Sequence, residues 1–134
     1  MATREDLESY LIRLGVEHEE VAEGMWVLRP ADGPSVVIQS TPPVVVLRLK
    51  VLELPKDAPD RQVLALYRRL LELNALDIVH GSYGIEEGDV VLTDALELAT
   101  LDFEELRSSF ESLVFAASSH LPGLAELIPV AHEG

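Results

Sequence analysis

Apolar residues recur every three or four positions in three stretches of the chain, and this spacing predicts three helices. The first stretch covers residues 3–15 and the second covers residues 57–76. The third begins at Asp102, which is a suitable N-cap because Glu105 follows three residues later. We expect the Pro-Gly pair at 122–123 to end or kink this last helix, since proline cannot donate the hydrogen bond of an inner helical position.

Between the helices, shorter apolar runs bounded by glycine or proline predict strands. We expect them at residues 16–22, 25–30, 35–40, 44–54, 77–85 and 90–98. Because the prolines at 42–43 interrupt strand pairing, three or four strands precede the second helix. The predicted order is α-β-β-β-α-β-β-α, or the same order with a fourth early strand. We interpret residues 1–134 as a single α+β domain with one antiparallel sheet packed by helices, in which residues 129–134 form a frayed tail.

The second helix is apolar around more of its circumference than one-sided packing requires. Eight apolar side chains fall within an arc of about 200°, roughly twice the width that a surface helix needs. They are Val63, Leu64, Leu66, Tyr67, Leu70, Leu71, Leu73 and Ala75. The second cover is either more of the chain or another subunit, and we predict a homodimer. Leu64, Tyr67 and Leu71 are expected at its interface, with Arg68 contacting acidic groups of the second copy.

The early strands supply the predicted partner site. Trp26 and Leu28 share one face of their strand, whereas Met25 and Val27 share the other. Since we expect helices to pack one sheet face, one of these pairs faces away from the core. We predict that a partner segment binds near Trp26, Met25 and Leu28, or adds a strand at the polar 16–22 edge. The fluorescence of Trp26, the only tryptophan, would then report binding.

Composition narrows the class of protein. The 134 residues include 24 acidic and 10 basic side chains, which give a formal charge of −14. A surface this acidic repels phosphate groups and anionic lipids, so we expect no direct binding of nucleic acid or of a membrane. The charged N-terminus lacks an apolar signal region, and no stretch is apolar enough to span a membrane. We therefore expect a cytoplasmic protein.

Residues that could carry catalysis or bind a metal are scattered. The chain has no cysteine, and its four histidines do not pair at metal-binding spacings. In the acidic run at 17–20, His18 could converge on a metal ion only with Glu20, because neighbouring strand residues alternate between faces. Such a polar run is typical of a solvated edge strand. His80 and Ser82 lack a third, orienting group. We therefore predict no catalytic residue, no metal site and no cofactor.

Three segments of the chain carry a family resemblance. They are Leu70-Leu71-Glu72-Leu73-Asn74 in the second helix, the strand pair from His80-Gly81-Ser82-Tyr83-Gly84 to Val90-Val91-Leu92, and Leu101-Asp102 before the last helix. This pattern resembles the YbjN family, which is similar in fold to the type III secretion chaperones. The resemblance implies a small acidic homodimer that binds a segment of a partner protein and catalyses nothing.

Three classes of function follow from these observations. The first is a dimeric, non-enzymatic protein-binding module, chaperone-like or regulatory, whose client carries basic segments. The second is an acidic protein that occupies a basic site on a nucleic-acid-binding partner. The third is a small metal-dependent enzyme or binder that uses histidines and carboxylates. High salt separates the first two, because apolar peptide binding survives salt whereas charge mimicry does not.

Overall fold

Helices and strands follow one another in the computed structural model, which describes residues 1–128. The helices are α1 (Arg4–Leu14), α2 (Asp60–Leu76) and α3 (Phe103–Leu127). The strands are β1 (Glu17–Ala22), β2 (Met25–Arg29), β3 (Val36–Thr41), β4 (Val44–Glu53), β5 (Ser82–Glu86) and β6 (Asp89–Glu97). The predicted frayed tail at 129–134 lies outside the described residues.

The six strands form one antiparallel sheet in the order β1-β2-β3-β4-β6-β5. This arrangement confirms the predicted α+β class with one antiparallel sheet. Four strands precede α2, so the order with three early strands is wrong. The reason is that Pro42 and Pro43 lie in the turn between β3 and β4, where the sheet needs no hydrogen bond from their nitrogen atoms.

The helices cover one face of this sheet. Strand pairing places Trp26, Ile38 and Leu47 side by side, and it places Leu49 beside Leu92. All five side chains are buried in one cluster together with residues of α1, α2 and α3. This face therefore forms the hydrophobic core of the protein.

The other face of the sheet carries no helix of the described chain. Met25, Val27, Val37 and Val46 alternate with the core residues of their strands, are half-buried and lie outside the core cluster. Arg48 of β4 pairs with Val37 of β3 and so lies among them. We call the surface formed by these five residues the open face. Four of these five side chains are apolar, and all five remain partly accessible.

Helix α2 is buried along only half of its apolar arc. The buried side chains are Leu66, Leu70 and Leu73. Leu64 and Leu71 point outward and are exposed. The helix begins at Asp60 with Pro59 as its N-cap, so it starts three residues later than the predicted range. Half of the arc therefore remains uncovered within one chain.

Helix α3 runs through Pro122 and ends only at Leu127, so the expected helix end at Pro122 is wrong. Proline removes one hydrogen bond from the helix, but burial of Leu124 and Ile128 holds the last turns against the core. At the other end, the Asp102 carboxylate accepts a hydrogen bond from the N–H group of Glu105, as the spacing predicts. The helix is therefore one long cover over the sheet.

The strand predicted at 77–85 begins only at Ser82, after a turn that ends at Gly81. Gly81 has a φ angle of 79°, in the left-handed region that favours glycine. A Cβ atom at this position would overlap the carbonyl oxygen of Thr93 in β6. Glycine is thus required here by both the backbone conformation and the close approach of β6.

We predict that Gly81→Ala destabilises the fold by more than about 2 kcal/mol, because it combines a strained backbone conformation with a clash against main chain. Gly84→Ala is the matched control in the same strand pair, since a Cβ atom there meets open space. Urea unfolding of both variants measures the difference. Equal unfolding midpoints would contradict the predicted strain.

Candidate protein-interaction site

The predicted partner residues divide between the two faces of the sheet. Trp26 is only 2% exposed and Leu28 is fully buried, so both belong to the core. Met25 lies half-buried on the open face instead. The partner hypothesis therefore moves from Trp26 and Leu28 to the face that carries Met25. Because of this burial, Trp26 fluorescence reports the state of the core rather than contact with a partner.

Paired charges flank the apolar part of the open face. Arg29 contacts Glu19 across β1 and β2 with an N–O distance of 3.2 Å. Lys50 contacts Glu53 at 2.7 Å, and this hydrogen bond lowers the pKa of Glu53 and raises the pKa of Lys50. An apolar centre with a polar rim is typical of protein–protein interfaces.

Strand β1 leaves one edge of the sheet free. It pairs only with β2, so within the described residues no strand binds the main-chain groups on its other side. Glu20 anchors this edge, because its carboxylate accepts hydrogen bonds from Arg4 of α1 and from the Gly24 N–H group. These hydrogen bonds lower the pKa of Glu20. An anchored strand with free main-chain groups is a template for a further strand.

Helix α2 closes the opposite edge of the sheet at β5. The Asn74 side chain accepts a hydrogen bond from the Tyr83 N–H group at 2.7 Å and donates one to the Tyr83 carbonyl at 3.3 Å. Asn74 thus occupies both main-chain groups, as a neighbouring strand would. Strand addition is therefore favoured at β1 over β5.

A hydrogen-bonded chain joins α2, β5 and α3 beside the closed edge. The Tyr83 hydroxyl lies 2.6 Å from Nδ1 of His120, and Nε2 of His120 lies 2.7 Å from the Asp77 carboxylate. Burial raises the pKa of Tyr83, and the negative charge of Asp77 adds to this effect. The hydroxyl therefore keeps its proton and donates a hydrogen bond to Nδ1 of His120, and the Nε2–H group of His120 donates one to the Asp77 carboxylate.

These hydrogen bonds have the outline of a catalytic relay, but the hydroxyl at their end belongs to a phenol. A phenol that keeps its proton is a weak nucleophile. These hydrogen bonds therefore join the end of α2 to β5 and α3. Sequence reasoning missed them because His120 lies 37 residues from Tyr83 and 43 residues from Asp77, and no local spacing links these residues.

The remaining candidates for chemistry do not converge. His18 Nδ1 lies 3.0 Å from the carbonyl oxygen of Val16, its neighbour in the chain. His80 and Ser82 share no hydrogen bond within the described residues. Across residues 1–128, no group of three histidine and acidic side chains is arranged to hold a metal ion. In the same range, none of the helices combines the length and apolar character needed to cross a membrane.

Helix α2 presents a second exposed apolar surface. Leu64, Tyr67 and Leu71 follow one side of the helix at spacings of three and four residues, and we call them the α2 stripe. The exposed fractions of Leu71 and Leu64 are 68% and 67%. Arg68, the fourth predicted interface residue, lies beside the stripe, where its Nε is 3.5 Å from a carboxylate oxygen of Glu72. The structure thus places all four predicted residues on the outer side of the helix.

Two clefts lie beside the loop at 30–34, where this loop crosses α3. The loop approaches the helix closely at Gly33, because a Cβ atom there would lie 2.7 Å from the Val114 side chain. One cleft has a volume of about 510 Å³ and includes Val16, Pro30 and Val114 in its lining. The other has about 420 Å³ and includes Pro34, Val51, Ala117 and Leu121. Both are large enough to accept apolar side chains from another molecule.

Comparison with known protein families identifies the class. The CesT_Tir_1 family model matches residues 1–129, nearly the whole chain. The chain belongs to this family. CesT_Tir_1 is a family of type III secretion chaperones, so the resemblance to these proteins and to YbjN is confirmed. No curated protein sequence matches this CesT_Tir_1 chain significantly.

Solved structures show the same fold as this CesT_Tir_1 protein. The ExoU–SpcU complex of the Pseudomonas aeruginosa type III secretion system matches with a TM-score of 0.69 and 18% identity, over 92% of this chain and 98% of that chain. The Yersinia pestis chaperone SycH, in complex with a fragment of YscM2, matches with a TM-score of 0.60 and 19% identity, over 87% of this chain and 98% of that chain. YbjN from E. coli matches with a TM-score of 0.64 and 17% identity, over 94% of each chain. At these identities the comparison shows a shared fold.

We predict that Tyr83→Phe lowers the free energy of unfolding by about 1 kcal/mol at neutral pH, because Nδ1 of His120 loses its hydrogen-bond donor. Tyr10→Phe is the control, since the Tyr10 hydroxyl makes no hydrogen bond within residues 1–128. Guanidinium unfolding of both variants provides the measurement. If Tyr83→Phe lowers the free energy of unfolding no more than the control does, the hydrogen bond from Tyr83 to His120 does not stabilise the fold.

Alkaline pH gives a second prediction for the same residue. Because the pKa of Tyr83 is raised, the folded protein keeps a proton that the unfolded chain releases above the ordinary value of 10.0. The unfolded state then binds fewer protons, so stability falls as the pH rises above this value. We expect the stability of Tyr83→Phe to fall less steeply with rising pH than that of wild type, as measured by denaturant unfolding at several alkaline pH values. Identical pH dependence in wild type and variant would contradict the assignment.

Proposed function

We propose that this protein is a non-enzymatic, dimeric module that binds a segment of a partner protein in the cytoplasm, in a chaperone-like or regulatory role. The observation that carries the proposal is the open face beside the free edge of β1. A largely apolar surface and a strand with one unpaired edge lie next to each other. Exposed apolar patches mark interaction sites. Membership of a secretion-chaperone family supports the proposal.

The complexes of similar proteins support a protein as the client. The Pseudomonas aeruginosa structure is a heterodimeric complex of SpcU with ExoU, and the Yersinia pestis structure holds SycH with a stable fragment of YscM2. By analogy, the client of this chain is a segment of another protein. The clefts beside α3 are suited to apolar side chains of such a segment.

The β1 edge favours an extended and basic client segment. An added strand gains affinity from main-chain hydrogen bonds and selectivity from its alternate side chains. Glu17 and Glu19 lie on one face of β1, so basic side chains opposite them would form favourable cross-strand pairs. The formal charge of −14 also speeds the encounter with basic segments.

A second copy of the chain covers the α2 stripe in this proposal. Each leucine left fully exposed forgoes roughly 1.5–3 kcal/mol of burial, which favours pairing of the two stripes. A two-fold axis places the same stripe on both sides of the contact, so Leu64, Tyr67 and Leu71 meet their own counterparts. Arg68 at the side of the stripe is then placed to reach acidic groups of the second copy.

The strong acidity favours a second candidate function. A protein with a formal charge of −14 would also bind a basic site on a nucleic-acid-binding partner and block it. The two functions differ in their response to salt, because salt screens exposed charges but not apolar contacts. A complex that survives high salt supports the open face, and one that dissociates supports charge mimicry.

We predict that Leu71→Lys converts the dimer to a monomer, because it places a charge in the apolar contact. Ile12→Lys on α1 is the matched control, since Ile12 is 69% exposed and Leu71 is 68% exposed. Light scattering at micromolar concentration should give twice the chain mass of 14.7 kDa for wild type and control. A wild-type monomer under these conditions would show that α2 is not a dimer interface.

We predict that the double variant Met25→Glu/Val27→Glu loses its protein partners, because two charges on the open face oppose apolar contact. Ile12→Glu, which leaves the open face intact, is the control. Affinity capture from native lysate at low and high salt, followed by mass spectrometry, compares the three proteins. We expect the same partners with wild type and control at both salt concentrations. Recovery of those partners by the double variant would exclude the open face.

A further inference from the structure

Arg48 has an unsatisfied hydrogen-bond donor on the β4 side of the open face. The strand pairing places Arg48 between Val37 of β3 and Thr93 of β6. Its Nε atom is buried without a hydrogen-bond partner, the only such side-chain nitrogen or oxygen within residues 1–128. The Glu86 carboxylate lies 3.7 Å away, too far for a hydrogen bond. Buried donors are almost always paired in folded proteins, so Arg48 is suited to an acceptor from outside the chain.

The neighbouring cations are already satisfied. Arg29 and Lys50 hold carboxylates at 3.2 and 2.7 Å, within hydrogen-bonding distance. Arg48 differs because its buried Nε has no hydrogen-bond partner within residues 1–128, while 40% of its side chain remains accessible. Rotation of the side chain away from Glu86 would present Nε and a terminal nitrogen together. This fork matches the two oxygens of a carboxylate.

The main chain beneath the open face is fully engaged in the sheet. Strands β2, β3 and β4 each have a neighbouring strand on both sides. A partner segment that crosses this face therefore finds no free main-chain groups and must satisfy its own. An α-helix does so internally, whereas an extended segment does not. A helix is thus suited to the open face and an added strand to the β1 edge.

The dimensions of the face suit a single helix. Strands in a sheet are about 4.8 Å apart, so the distance from β2 across β3 and β4 to β6 is about 14 Å. A helix with its side chains is about 10–12 Å wide. One helix therefore covers the apolar residues of the open face and passes over or beside Arg48.

We propose that the open face binds an amphipathic helix of a partner protein through a carboxylate that pairs with Arg48. The inference rests on the proposed function and specifies its partner. The carbonyl groups of the helix are used internally, so the acceptor for Arg48 is a side chain, and Asp or Glu fits its fork. Basic residues on the flanks of the helix complement the acidic surface of the protein.

The test uses synthetic helical peptides of about 18 residues with a leucine stripe and lysine flanks. Glu or Gln is placed in turn at each position beside the stripe, and fluorescence anisotropy measures binding to the full chain. At one or more positions the Glu peptide should bind at least about tenfold more tightly than the Gln peptide. The preference should vanish in Arg48→Met and persist in Lys50→Met, which removes a neighbouring cation.

Equal binding of the Glu and Gln peptides at every position, no binding at all, or a preference that persists in Arg48→Met would overturn the inference. The capture experiment distinguishes this failure from that of the proposed function. If the Met25→Glu/Val27→Glu variant still loses its partners, the proposed function stands without the Arg48 pairing. If the same variant instead becomes monomeric while wild type is a dimer, the open face is a contact between copies, which also overturns the inference.

Thermal unfolding separates a binding role of Arg48 from a structural one. Arg48→Met removes an unpaired buried donor and keeps the apolar stem of the side chain. We expect its unfolding midpoint to equal or exceed that of wild type. A large drop in the midpoint would show that Arg48 supports the fold, and it would contradict the assignment to partner binding.

Discussion

The packing of all three helices on one face of the sheet is the constraint on which the other features depend. Core burial of Trp26, Ile38 and Leu47 fixes which side of each strand faces inward, and this leaves Met25, Val37 and the other alternate residues outside. The chain has no further described element to cover that side. Covering the apolar residues of this surface with a partner removes them from water, which lowers the free energy.

The two edges of the sheet differ, because in the described part of the chain only the β1 edge offers unpaired main-chain groups to a partner. Asn74 and the Tyr83–His120–Asp77 chain fix α2 and α3 against β5, so one edge is occupied by side chains of the same molecule. The β1 edge is held in place by Glu20 but has no strand partner in residues 1–128. A client that adds a strand at β1 can continue onto the open face, whereas β5 offers no equivalent route.

Helix and strand periodicity predicted the elements well, because each depends on local spacing. Periodicity could not decide whether Trp26 or Met25 faces the helices, since both residues belong to apolar pairs and only the pairing with Ile38 and Leu47 settles it. The helix does not end at Pro122 as expected, because burial of Leu124 outweighs the lost hydrogen bond. The contact between Tyr83 and His120 cannot be predicted from local sequence spacing, because the two residues are 37 positions apart.

The central claim, that a partner covers the open face, can be tested at a single methyl group. The chain contains two methionines, so ¹³C-methyl labelling gives one signal from Met25 on the open face and one from the exposed Met1. NMR spectra are recorded while a partner segment identified by capture is added to saturation. We predict that the Met25 methyl signal shifts and becomes protected from a soluble paramagnetic agent. An unchanged Met25 signal at saturation would contradict the account.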